Sequence, residues 1–256
     1  MIFNMKNKIN FLDWNNKILI SSIKKIDWSI ILIIVLDSLF YILSGYSILF
    51  WFQRINAKMS AFNLPNNIAS LGYEQAQQLL GQEKSFYYLI IFSFIILLIA
   101  IIFLVSILKG IIWARTTKTK LTFNLISKFL ALNLVWMGLW FIIFFLISYL
   151  VQPEAVGTFM IAALVISLYF TNTLYTMFMK NQNIKSIRDA LKLNIMKIHL
   201  FLLPYIIIFL LLFIILKLSS ILVFNYSDFV FAIMVVVYAA FVRYYVSTLA
   251  SEAEKL

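Results

Sequence analysis

Six stretches of this chain run apolar for the length of a membrane span: Trp28 to Phe52, Phe86 to Leu108, Phe129 to Val151, Thr158 to Met179, Leu200 to Val223 and Val230 to Leu249. A hydrocarbon core of about 30 Å takes about 20 residues of α-helix at 1.5 Å per residue, and each run meets that length. None shows the period-2 alternation of a barrel strand. A segment in lipid must satisfy its own backbone, so the runs are read as helices. Composition excludes the alternative of a water-soluble domain with a buried core. Of the 256 residues 64% are hydrophobic and only 12% charged, with a mean hydropathy of +0.99, whereas soluble domains carry about 25% charged residues. The expected fold class is all-α: a polytopic membrane protein of six transmembrane helices with cytoplasmic interfacial amphipathic helices. Residues 28–249 form the membrane domain, 1–27 a cytoplasmic basic amphipathic arm and 250–256 a cytoplasmic tail.

Lys and Arg fix the expected orientation. Five lie in the arm (Lys6, Lys8, Lys17, Lys24, Lys25), five after the second run (Lys109, Arg115, Lys118, Lys120, Lys128) and five after the fourth (Lys180, Lys185, Arg188, Lys192, Lys197), against three between Gln53 and Ser85. This asymmetry places both termini in the cytoplasm and the protein in the cell membrane by the positive-inside rule. The net charge of +11 is then accounted for by topology and by attraction to anionic headgroups rather than by nucleic acid. Residues Met1 to Asp27 hold no apolar h-region or small-residue cleavage site, so the first span is expected to direct insertion.

Three basic stretches also carry apolar residues at helical spacing: Leu19, Ile23, Ile26; Leu121, Leu125, Phe129; and Ile184, Ile187, Leu191, Ile195, Ile198. In the last, Ser186 and Asp189 fit a capping box, predicting a helix in the membrane surface or packed across the span ends. Trp28, Trp51 and Trp113 are expected at interfaces, and Trp136 and Trp140 against neighbouring helices. Between the first two spans, Leu64 to Asn67 reads as a turn and Ser70 to Leu80 as a short helix stopped by Gly81. Ala163, Ser167 and Thr171 form a stripe permitting close helix approach.

Chemistry-bearing motifs are missing from the sequence. There is no Cys and one His, His199, which removes disulfides, thiolate chemistry and His-cluster metal sites. The chain has neither G-x-x-x-x-G-K nor G-x-G-x-x-G, the loops that cradle phosphates. No catalytic, cofactor-binding or metal-ligating residue is assigned, no cofactor is implied, and the chain is not expected to be an enzyme.

What remains is a set of polar residues inside the runs. Counting at 1.5 Å per residue from the cytoplasmic ends puts Asp37 about 14 Å deep, Asn172 about 10 Å, Arg243 about 9 Å and Asn133 about 6 Å. All four fall in the inner half. A charge near the middle of a span costs about 2.5–3.5 kcal/mol even on the mildest scale, so Asp37 and Arg243 are expected to face the interior and pair. Asp37, Asn133, Asn172 and Arg243 are the candidate intramembrane polar cluster. It serves either as structural register or as a cytoplasm-facing polar cavity.

The basic amphipathic stretch Ser186 to His199, Pro204 near the start of the next span and the sequence Arg243, Tyr244, Tyr245 in the last resemble six-helix prokaryotic membrane proteins related to the membrane domain found beside glycerophosphodiester phosphodiesterases. The resemblance covers roughly the second half of the chain. It implies an integral membrane protein with no catalytic residues to carry over. Two functions stay open: a non-enzymatic component organising lipid or supporting a membrane complex, and a small-solute transporter or exporter. Membrane lipids, with anionic headgroups at the basic helices, are the expected partners, alongside a membrane protein or a second copy of the chain.

Overall fold

The computed structural model describes residues 11–60, 73–221 and 226–256; the expected turn at Leu64 to Asn67 lies outside them. Among the described residues the chain is helical with no strand: α1 Phe11–Lys25, α2 Ser29–Ser60, α3 Tyr73–Leu104, a π-helical turn Val105–Lys109, α4 Gly110–Thr116, α5 Phe123–Leu150, α6 Pro153–Asn181, α7 Ser186–Met196, α8 Ile198–Ile221 and α9 Ser227–Lys255. Six helical stretches are long and apolar enough to cross a membrane. The protein is an all-α polytopic membrane protein.

Several helices overrun the apolar windows. The second does not end at Leu108: it continues through the π turn and α4 to Thr116. Gly81 stops nothing, because α3 runs through it without a break, and a helical Gly costs only about 1 kcal/mol relative to Ala. Residues 250–255 continue α9, with Ala250 and Ala253 fully buried, so the segment assigned to a tail is packed helix.

The chain divides into two compact units, residues 39–105 and residues 1–38 with 106–256. In the smaller, the Trp51 indole N–H donates to Ser93 Oγ at 3.0 Å and its ring lies 5.6 Å from that of Phe94, joining α2 to α3. In the larger, α9 is the central element. Arg243 through Ala250 are buried without interruption, as a helix enclosed on all sides must be. Helices α1, α4, α6 and α8 all pack on it. Lys25 Nζ donates to Thr248 Oγ1 at 3.2 Å, Lys197 Nζ to the Ala253 carbonyl at 2.7 Å, and Lys180 pairs with Glu254 at 2.7 Å. Cations thus hold the last turns of α9, where the helix dipole and unpaired carbonyls favour them.

The three basic stretches do not form three equivalent surface helices. The middle one is the first turns of α5, with Leu125 and Phe129 at 0% exposure in the core and Thr122 Oγ1 accepting from Leu125 N–H as the N-cap. The first becomes α1. Its Asn15, Ile18 and Ser22 are buried, Ile20 and Ile23 are exposed, and α1 packs on α9. Beyond α1, Asp27 Oδ1 accepts from Ser29 N–H at 3.1 Å and from the Ser29 hydroxyl; that hydroxyl bond, with Lys118 beside it, holds the Asp27 carboxyl below its usual range.

The third stretch forms α7, but not by a capping box. Ser186 is the first helical residue, fully buried, and the turn is entered through Asn183, whose Oδ1 accepts from Lys185 N–H at 3.1 Å. Helix α7 packs along α6 through Ser186, Ala190, Leu193 and Asn194, and the Tyr169 hydroxyl donates to the Asn194 carbonyl at 3.0 Å. Sequence reading leaves the apolar stripe either to the membrane surface or to packing across the span ends; Ile184, Ile195 and Ile198 are exposed, and Ile187 and Leu191 are half-buried. Small and polar residues fit the close α6–α7 contact, which leaves the aliphatic stripe for the surroundings.

Candidate functional site

Asp37 lies on the α2 face that also buries Ile33 one turn earlier. Ile33, Ile112, Ala240 and Tyr244 form an apolar cluster joining α2, α4 and α9, and Ser29 Oγ meets the Tyr244 hydroxyl at 3.1 Å. One turn beyond it sits the ion cluster. Arg243 Nη2 donates to Asp37 Oδ1 at 3.1 Å, and Nη1 lies 2.8 Å from Oδ2 as an ion contact without hydrogen-bond alignment. The pairing expected from depth is present.

A third member was assigned elsewhere by sequence. Lys109 Nζ lies 2.6 Å from Asp37 Oδ1. Its side chain is 13% exposed, against 8% for Arg243 and 0% for Asp37. Lys109 counts as a flanking charge only if the second span ends at Leu108. The signal that could have placed it inside is the apolar sequence on its far side, Ile111, Ile112, Trp113, Ala114.

The π turn explains how Lys109 reaches the interior. An i→i+5 turn inserts an extra residue into the helix and resets which side chains face inward; such bulges recur at functional sites. Here Ser106, Lys109, Ile112 and Trp113 all come to face the packed interior. Gly110 follows at the closest approach of α4 to α5. A Cβ there would lie 2.8 Å from Ile126 Cδ1 and 3.2 Å from Phe129 Cδ1.

Trp113, expected near a span end, is packed inside the protein. It is 2% exposed, with the Arg243 guanidinium 5.8 Å from its ring centroid and the Tyr175 ring edge-on at 5.7 Å. Its size and its place between α9 and α6 suit a core position better than the interfacial belt. The Tyr175 hydroxyl donates to Asn133 Oδ1 at 2.6 Å, and Asn133 Nδ2 donates to Ser106 Oγ at 3.2 Å. Ser106 and Lys109 share the π turn, so one chain of contacts runs from Lys109 through Asp37, Arg243, Trp113, Tyr175 and Asn133 back to Ser106.

The four sequence candidates therefore divide. Asp37 and Arg243 are bonded, and Asn133 joins them through Ser106 and Tyr175. Asn172 is half-buried and stands apart, against the Tyr205 hydroxyl, which donates to the Tyr169 carbonyl at 3.3 Å. Beside it the small-residue stripe serves internal packing at Thr171, whose Oγ1 accepts from the Trp136 indole at 2.8 Å. Trp136 faces α6 as expected, and half-buried Trp140 packs on the same core. Pro204 lies inside α8, in its second turn, buried.

Among the described residues no group of three or more His, Cys, Asp or Glu is placed to hold a metal ion. Chemically, the site is a single carboxylate gripped by two cations and lined by aromatic rings, joined to a neutral Ser–Asn–Tyr relay. No protein-family model, curated protein or solved structure matches the chain.

Proposed function

We propose that this protein is a non-enzymatic component of the cell membrane that organises or engages anionic lipid through its basic end, with both termini cytoplasmic. The observation that carries the reading is the division of α7 into a buried and an exposed side. Ser186, Ala190 and Asn194 are buried, while Ile195 is exposed beside exposed Arg188 and Lys192, with Ile184 and Lys185 exposed just before the helix. A docked helix whose outer side mixes aliphatic and cationic side chains suits the boundary between acyl chains and headgroups. Exposed Ile20 and Ile23 beside exposed Lys17 and Lys24 give α1 the same character. The relation to the membrane domain found beside glycerophosphodiester phosphodiesterases belongs to the same proposal and rests on Ser186 to His199, Pro204 and Arg243 to Tyr245.

Each basic residue near an anionic surface contributes about 1 kcal/mol of attraction. Replacing Lys185, Arg188 and Lys192 together with Gln is expected to abolish most of the preference for phosphatidylglycerol over phosphatidylcholine, measured as retained lipid by native mass spectrometry. An unchanged preference would remove α7 from lipid engagement.

Orientation has its own test in a chain without Cys. Lys120→Cys is expected to stay unlabelled by an impermeant thiol reagent in intact cells, and Asn56→Cys to be labelled; both positions are exposed. The reverse pattern would place the basic end outside.

The second reading, a small-solute transporter, is favoured by one observation, the gathering of three charged side chains inside the apolar helices. A transporter must wet that site. Water accessibility at Asp37 and Asn172 separates the readings.

A further inference from the structure

Among the described residues the two most exposed large apolar side chains are Phe123, at 89%, and Trp28, at 87%. They are distant in sequence, yet each stands where a span begins, Trp28 directly before α2 and Phe123 as the first residue of α5. Their heights agree. Trp28 lies nine residues before Asp37 and Phe123 ten before Asn133, about 14 and 15 Å at 1.5 Å per residue, and Asp37 and Asn133 bond to Lys109 and Ser106 of one π turn. Their segments also meet, because Asp27, next to Trp28, pairs with Lys118 at 3.2 Å.

The loop between α4 and α5 is arranged to present cations. The Thr117 hydroxyl donates to the Trp113 carbonyl at 2.8 Å and meets the Thr119 hydroxyl at 2.8 Å, while Thr119 N–H donates to the Ala114 carbonyl at 2.8 Å. The two threonines are tied down in this way, and the alternate residues Lys118 and Lys120 are exposed. Lys118 has a left-handed backbone, φ 57°, which Gly adopts freely and an L side chain does not. A solvent-exposed ion pair contributes little, so the contact with Asp27 is a weak reason for lysine at that position. Presenting an ammonium beside exposed Leu121 and Phe123 is a stronger one. With Asp27 set against Lys118, Lys120 leaves the two segments one net positive charge, and exposed Lys24 and Arg115 flank them.

Aromatic rings at span ends settle at the boundary between headgroups and acyl chains, and cations beside them meet the phosphates of an anionic leaflet. We propose that the α1–α2 turn and the α4–α5 loop form a second lipid-engaging surface, separate from α7. Trp28 and Phe123 enter that boundary, and Lys118 and Lys120 meet the phosphodiesters of anionic lipid. The surface deepens the lipid reading above and rests on it. Asp27 holds the two segments together and limits the charge they offer.

Phe123→Cys in the Cys-free full-length chain is labelled with a fluorescent dye. The protein is placed in phosphatidylcholine vesicles that contain nitroxide-labelled phosphatidylglycerol or nitroxide-labelled phosphatidylcholine. Both lipids are expected to quench the dye, with phosphatidylglycerol favoured about fivefold, the attraction of one net cation near the surface. Replacing Lys118 and Lys120 with Gln should abolish the preference, and Asp27→Asn should raise it to about 25-fold by releasing the second lysine. The same dye on Ile195→Cys, exposed on α7, reports the other surface. Preference at 195 without preference at 123 leaves α7 standing and overturns this surface; preference at 123 without preference at 195 supports this surface and removes α7. A dye at 123 quenched by aqueous iodide and by neither lipid, the pattern of a docking face for a soluble protein, overturns the proposal. So does a preference that survives the loss of both lysines. Leu121→Cys, exposed in the same loop, repeats the measurement should Phe123→Cys fail to fold.

Discussion

Replacing Asp37 with Leu is expected to lower the stability of the detergent-solubilised protein by about 3–5 kcal/mol, the cost of breaking a buried ion pair from one side. The substitution strips the carboxylate from between Lys109 and Arg243 and leaves two like charges together in a low-dielectric site. Lys109→Met and Arg243→Met should each cost less, because each leaves Asp37 one cation. The doubles distinguish two residues from three. If Asp37 and Arg243 formed a closed pair, replacing both by Leu would recover most of the loss, since a buried pair can be exchanged for apolar residues at little cost. With Lys109 bonded to the same carboxylate, that double removes the carboxylate from the Lys109 ammonium and should recover little. Adding Lys109→Met should restore most of the stability. Full recovery in the double, read by thermal unfolding, would show that Lys109 is not energetically part of the cluster.

Phe129→Ala is the second large effect, about 3–5 kcal/mol for emptying a fully buried aromatic site. Phe129 is at 0% exposure, with ring centroids of Tyr175 at 4.8 Å and Phe178 at 5.3 Å. Loss of its ring also loosens Tyr175, and with it the hydroxyl on Asn133. Gly110→Ala tests the same contact from the opposing helix. Alanine adds helix propensity worth about 1 kcal/mol, but its Cβ must displace Ile126 Cδ1 at 2.8 Å and the Phe129 ring at 3.2 Å, and overpacking costs about 1–3 kcal/mol. The net effect in the wild type should be destabilising. In Phe129→Ala the same substitution should cost less or become neutral, because the ring contact is gone and the Ile126 side-chain end can move into the space the ring leaves. Strict additivity of the two changes would mean that α4 and α5 do not meet closely at Gly110.

The membrane character, the six spans and the pairing of Asp37 with Arg243 follow from sequence because each rests on one dominant energy. Apolar length is set by the hydrocarbon thickness and depth by a constant rise per residue, while a buried carboxylate in lipid demands a cation. None of these needs to know which helices are neighbours. What the sequence alone left open, or placed wrongly, turned on tertiary context. Lys109 and Trp113 read as interfacial because they follow an apolar run of the right length; only the π turn, which reorients the helix around Ser106 and Lys109, and the packing of α4 against α5, α6 and α9 draw them inside. The apolar stripe of α7 leaves open whether it meets the membrane surface or the span ends, and close approach to α6 selects Ser186, Ala190 and Asn194 for the contact, because small residues let two helices approach closely. Residues 250–255 read as a tail because they are polar on average, and they are core at Ala250 and Ala253 because α1 and α6 close around the end of α9. Hydrophobic pattern decides which segments enter the membrane. Once inside, burial no longer separates apolar from polar, so which face meets which helix is decided by shape and by the pairing of the few charges, and both are properties of the assembled structure.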